Sequence, residues 1–107
     1  MVKELPVTEL NARLKKGDDN IVVIDVREPW EVSTASIAGT LNIPMNSVPS
    51  RLDDIPEEKE IAVLCHHGAR SRRIAEFLSH NGFKNVYNIT GGIAAWSRDV
   101  DPAVPNY

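Results

Sequence analysis

The residues best suited to chemistry lie in the stretch LCHHGARSRR, residues 64–73, which contains the only cysteine of the chain, Cys65. Five of the eight residues after this cysteine are histidine or arginine and none is acidic, although the chain has a net charge of −3. Nearby cations and a helix N-terminus favour the thiolate, which is the reactive form of cysteine. The stretch therefore predicts a thiolate nucleophile and an anionic ligand.

The residues after Cys65 suit a tight loop that binds an anion. Gly68 allows backbone conformations that other residues avoid. Successive N–H groups in such a loop form a concave anion-binding site, and the following helix adds the positive end of its dipole. Arg70 brings a permanent charge with forked donors, and Ser71 can cap the helix. The predicted binding residues are His66, His67, Gly68, Ala69 and Arg70, with Cys65 as the catalytic residue.

Simpler interpretations exist for several of these residues. A lone cysteine after an apolar strand is usually a small buried hydrophobic residue, and only the neighbouring glycine and arginine favour catalysis. His66 and His67 could act in acid–base catalysis or bind a metal. Adjacent histidines seldom point the same way, so we expect them to shape the loop and predict no metal site. Trp30 and Trp96 are expected to be packing residues.

The order of the elements indicates which structure positions the loop. The runs IVVIDV and IAVLC are continuous and apolar, which is typical of strands buried on both faces. The predicted strands are residues 21–26, 40–43, 61–65 and 85–89. Helical patterns are predicted at residues 8–16, 28–35, 46–52, 71–80 and 93–98. Alternation of this kind favours an α/β fold, a parallel sheet with helices on both faces, whose ligands bind beyond the carboxyl ends of strands.

Length and composition limit the remaining choices. A chain of 107 residues, 42% hydrophobic and 25% charged, fits one globular domain over residues 1–107, with an extended tail at 101–107. One cysteine allows neither an internal disulfide nor a cysteine-cluster metal site. The acidic balance argues against nucleic-acid binding, and no apolar run approaches the ~20 residues of a membrane helix. The N-terminus lacks a signal-peptide pattern, so a cytoplasmic location is predicted.

Four stretches resemble the rhodanese-like sulfurtransferases, specifically their single-domain members. They are IDVREPWE, AGTLNIP, LCHHGARS and GFKNVYNITGGIAAW, which together extend over most of the chain. The resemblance implies a five-stranded parallel sheet flanked by helices. It implies that Cys65 takes the outer sulfur of thiosulfate or a similar donor, becomes a persulfide, and gives the sulfur to cyanide or a thiol without a cofactor.

The resemblance also assigns roles and leaves alternatives. Arg70 would bind the anionic donor, the amides of residues 66–70 would stabilise the persulfide, and Ser71, Asp25 and Arg27 would support the loop. Related phosphatases have one residue more between the cysteine and the arginine, so sulfur transfer is favoured over phosphate hydrolysis. A sulfur relay to an acceptor protein and a regulatory binding module remain open. Family members often carry His-Ile where this chain has Ser36-Ile37. That histidine is usually structural, so we expect little loss of activity, although any local hydrogen bond that depends on an imidazole is not expected here.

Overall fold

The computed structural model describes residues 2–107, which form a five-stranded sheet with strand order β1-β5-β4-β2-β3. Every paired neighbour is parallel, and β4 lies in the middle. The predicted five-stranded parallel sheet is confirmed. The strands are β1 (Val2–Pro6), β2 (Ile21–Asp25), β3 (Leu41–Asn42), β4 (Glu60–Leu64) and β5 (Val86–Thr90).

Helices cover both faces of the sheet, as predicted. They are α1 (Val7–Lys15), α2 (Pro29–Thr34), α3 (Ala69–His80) and α4 (Gly92–Asp99), with 3-10 segments at Met45–Ser50 and Leu52–Asp54. One hydrophobic cluster joins α1 and α4 to the sheet, and a second joins α3 and the first 3-10 segment. Successive β4 residues alternate between these clusters, which explains why the strand is apolar throughout. No helix within residues 2–107 is long and apolar enough to span a membrane.

Several local predictions differ from the structure. Strand β1 was not predicted from the residues, because it is an edge strand in which only Leu5 is buried. Helix α3 begins two residues earlier than expected, after Gly68, so Ser71 does not cap it. Trp96 is buried as predicted, but Trp30 is 64% exposed and is not a core residue.

The tail at residues 101–107 turns back onto the domain instead of staying extended. The Val104 amide donates to the Asp101 carbonyl at 3.0 Å, which closes a turn. Val104 is buried against the cluster that contains α4, and Ser97 Oγ donates to the Val104 carbonyl at 2.6 Å. These contacts direct the last residues toward the loop after β4.

Candidate active site

Cys65 lies directly after the central strand β4, at the beginning of the loop to α3. Its side chain is buried, with 1% of the residue exposed. The Gly68 amide donates to Sγ at 3.0 Å, and Ser71 Oγ lies 3.3 Å from Sγ. An amide aimed at the sulfur stabilises negative charge there, and the N-terminus of α3 acts in the same direction. The loop thus curls around its own cysteine, with Ala69 exposed at the start of α3.

The loop backbone is held from the other side by the first turn of α4. The Ile93 amide donates to the Cys65 carbonyl at 2.9 Å, and the Ala94 amide donates to the His66 carbonyl at 3.1 Å. This approach needs glycine at position 92, where φ is +59° and a Cβ would lie 2.5 Å from the His66 carbonyl oxygen. The sequence pattern here indicated only a helix at residues 93–98, so this contact was not predicted.

A row of polar side chains connects Cys65 with the protein surface. Ser71 Oγ, which is fully buried, donates to Asn88 Oδ1. Asn88 Nδ2 then donates to the Glu4 carboxylate, at 3.2 and 3.3 Å from its two oxygens. Glu4 also forms an ion pair with Arg72, with Nη2 and Oε2 3.0 Å apart. The Ser71 hydroxyl therefore contacts Cys65 and Asn88 and does not cap α3.

Arg70 forms a two-point ion pair with Glu31. Its Nη1 and Nη2 donate to Oε1 and Oε2 at 2.7 and 2.8 Å. The Glu28 amide also donates to Glu31 Oε1 at 3.0 Å. The hydrogen bonds from Arg70 lower the pKa of Glu31 to about 2, so this carboxylate is ionised at neutral pH. Arg70, which was predicted to bind an anionic donor, thus already binds the Glu31 carboxylate. This ion pair was not predicted from the sequence.

Asp25 and Arg27 form a second ion pair, in which both side chains are fully buried. Arg27 Nε and Nη2 donate to the Asp25 carboxylate at 2.9 and 2.7 Å, and Nη2 also donates to the Ala35 carbonyl at 2.7 Å. Burial alone would lower the pKa of Arg27, but the hydrogen bonds to Asp25 and Tyr107 raise it above its usual value. The guanidinium of Arg27 thus stays charged inside the protein.

Three aromatic rings are stacked beside the Cys65 loop. The rings of His66 and His67 are 4.0 Å apart and inclined by 21°, so the prediction that they point apart is wrong. The Tyr107 ring stacks on the other face of His66, at 4.0 Å and 7°. Burial and the neighbouring His67 lower the pKa of His66, which favours the neutral imidazole. Among residues 2–107 no group of three or more metal-binding side chains comes together.

Comparison with known proteins identifies the family. Residues 6–99 match the Rhodanese-like domain, and the chain belongs to this family. It is 35% identical over 104 residues to a protein named "Sulfurtransferase" from Allochromatium vinosum, covering 97% of this chain and 96% of that protein.

Two further similarities complete the comparison. The chain is 42% identical over 112 residues to "Rhodanese-like/PpiC domain-containing protein 12, chloroplastic" from Arabidopsis thaliana, with 99% of this chain aligned, and spans only 38% of that protein. The crystal structure of a rhodanese-related protein from Thermoplasma volcanium superposes with a TM-score of 0.84 at 33% identity, covering 98% and 99% of the two chains.

Proposed function

We propose that this protein is a sulfurtransferase that carries sulfur on Cys65 as a persulfide. The observation that carries the proposal is the position of Sγ, which receives the Gly68 amide at the carboxyl end of the central strand. The relative named sulfurtransferase, which aligns over nearly its full length, supports the same class of reaction. Thiosulfate is the proposed donor, and cyanide or a thiol is the proposed acceptor.

The reaction takes place in two displacement steps. The Cys65 thiolate attacks the outer sulfur of thiosulfate, the new S–S bond forms, and sulfite leaves with the electron pair of the broken bond. Cyanide then attacks the outer sulfur of the persulfide, and thiocyanate forms as the cysteine thiolate is released. Both steps balance without a metal or a cofactor.

The loop residues have distinct proposed roles in these steps. The Gly68 amide and the other amides of residues 66–70 stabilise negative charge on the two sulfurs. Arg70 binds the anionic donor through N–H groups other than the two that Glu31 accepts, since a guanidinium has more donors than those. His66 and His67 shape the entrance. Ser71, Asp25 and Arg27 support the loop without contacting the donor.

The intact mass of the protein after incubation with thiosulfate tests the proposal, with Cys65→Ser as the comparison. A persulfide adds roughly 32 Da, and cyanide should remove this mass again. Because the chain has a single cysteine, a mass gain that is lost in Cys65→Ser can only lie on that residue. An unchanged mass in the wild-type protein would contradict thiosulfate as the donor.

The acceptor is tested separately. Turnover with cyanide and with a small thiol should both depend on Cys65. A persulfide that forms readily but passes its sulfur only to a protein thiol would make the protein a sulfur relay. Hydrolysis of an aryl phosphate that is lost in Cys65→Ser would instead favour the phosphatase alternative.

A reducing compartment such as the cytoplasm suits the free thiol of Cys65, and we propose that location.

A further inference from the structure

The tail at residues 101–107 brings Tyr107 to the candidate active site. Val104 and Ser97 fix the middle of the tail on the domain, and the remaining residues reach the Cys65 loop. The Tyr107 ring then lies flat on His66, and it forms a T-shaped pair with the exposed Trp30 ring, with ring centroids 6.1 Å apart and planes inclined by 81°. Tyr107 is distant in sequence from all of its partners here, so no local pattern indicates this contact.

The phenol of Tyr107 connects the two ion pairs of the site. Its hydroxyl donates to Glu31 Oε2 at 2.7 Å and accepts a hydrogen bond from Arg27 Nη1 at 3.0 Å. Glu31 Oε2 is the same oxygen that receives Arg70 Nη2. The orientation of the Glu31 carboxylate, and with it that of the Arg70 guanidinium, therefore depends on the phenol.

We propose that Tyr107 is a positioning residue of the candidate active site, which holds Glu31 so that Arg70 points toward an anion bound at Cys65. The Arg70 side chain is 33% exposed, and its two hydrogen bonds to Glu31 restrain its guanidinium. Without the phenol, the carboxylate keeps only the Glu28 amide and Arg70 itself, and the guanidinium can turn away with it. A guanidinium binds a carboxylate or a sulfur oxyanion through two parallel N–H groups only when the guanidinium plane is correctly oriented.

Alkylation of Cys65 tests this role without requiring sulfur transfer. Iodoacetate and iodoacetamide react at the same sulfur with the same leaving group, but only iodoacetate is an anion. The ratio of their rates therefore measures how well the site receives negative charge. Tyr107→Phe keeps the ring on His66 and removes both hydrogen bonds of the hydroxyl, the one to Glu31 and the one from Arg27. Because the bond to Glu31 is the one that orients Arg70, this ratio should fall by about threefold.

Two further variants make the measurement specific. Asn106→Ala changes the exposed neighbour in the tail and should leave both rates unchanged. Arg70→Gln should lower the ratio by itself, and Tyr107→Phe should then lower it no further, since both substitutions act through the same guanidinium. Circular dichroism and urea unfolding confirm that each variant is folded.

The proposal is overturned if Tyr107→Phe slows both reagents in parallel or leaves the ratio unchanged, because the tyrosine would then only pack on the loop. It is also overturned if the ratio falls equally in the Arg70→Gln background. The role of Tyr107 in donor binding rests on the proposed function. The alkylation ratio can be measured whether or not the protein transfers sulfur. A protein that forms no persulfide yet shows the expected ratio would contradict sulfur transfer alone.

Discussion

At the scale of single residues, we expect the buried Asp25–Arg27 pair to be the part of the site most sensitive to substitution. Both side chains have no exposed surface. The neutralisation of one member of a buried pair leaves the other charge without a counter-ion in a medium that solvates it poorly. Arg27 also donates to the Ala35 carbonyl and to the Tyr107 hydroxyl. Loss of the pair should therefore also disturb the residues that pack beside the Cys65 loop.

We expect Asp25→Asn to lower the free energy of unfolding by about 3–5 kcal/mol, the usual result of removing one partner of a buried ion pair. Urea unfolding at neutral pH measures the change. The control is Asp54→Asn, which breaks the exposed pair with Arg51 and should cost about 1 kcal/mol or less. A similar loss in both variants would mean that Asp25–Arg27 contributes no more than a surface pair.

The residues of the site divide into those that sequence could reveal and those that it could not. Cys65, Gly68 and Arg70 are close in sequence, and a short loop brings them together whatever the rest of the chain does. Glu31 is 39 positions from Arg70, and Tyr107 is 76 positions from Glu31. The sequence around a glutamate or a tyrosine carries no sign of its distant partner, because that partner is set by the packing of whole elements.

At the scale of elements, two strand-to-helix turns meet at the candidate site. The turn from β4 to α3 contains Cys65. The turn from β5 to α4 supports the backbone of this first turn, because the amides of Ile93 and Ala94 donate to its carbonyls. Gly92 makes this close approach possible, and it does so in a conformation with positive φ.

A methyl group at position 92 should therefore disturb the Cys65 loop. Gly17 provides the control, because its φ is +72° but nothing lies within 4 Å of the Cβ position. Gly17→Ala should cost about 1 kcal/mol through backbone strain alone. Gly92→Ala should cost about 1–3 kcal/mol more because the loop backbone must also move. Thermal unfolding and the iodoacetamide rate at Cys65 test this, and a normal rate in Gly92→Ala would contradict it.

Sequence patterns predicted the central elements better than the edges. The continuous apolar runs at residues 21–26 and 61–65 indicated strands covered on both faces, and β2 and β4 occupy such positions. Strand β1 escaped prediction because Lys3 and Glu4 are exposed at the edge of the sheet. The start of α3 was misplaced because Gly68, with φ of +108°, precedes the helix in place of a capping side chain.

At the scale of the whole molecule, Glu60 joins three elements near the amino end of β4. Arg13 of α1 donates to both of its oxygens at 3.1 and 2.6 Å, and the Tyr87 hydroxyl of β5 donates at 2.7 Å. The hydrogen bonds from Arg13, followed by the one from Tyr87, lower the pKa of Glu60 to about 2. Glu31 has a similarly low value, so two ionised carboxylates stabilise the folded chain.

Acid should therefore destabilise the protein in a defined range. The pKa of Glu60 is lowered from 4.5 to about 2 on folding, so the unfolded chain binds its proton first as the pH falls. The stabilisation is complete above 4.5 and is lost as the pH falls toward 2. Urea unfolding at several pH values should show a shallower decline in Glu60→Gln, while the exposed Glu58→Gln keeps the wild-type decline. Identical declines in all three proteins would contradict this role.

The carboxylates that accompany the arginines near Cys65 also affect how a donor reaches the site. Arg27, Arg70 and Arg72 are paired with Asp25, Glu31 and Glu4, respectively. Paired charges cancel at distance, so these arginines add little to the field that extends into the solvent. If the proposed function holds, we expect a donor anion to gain little electrostatic steering from these three arginines. The proposed reaction would then select among anions after the encounter, through the fit of each one to the hydrogen-bond donors of the loop.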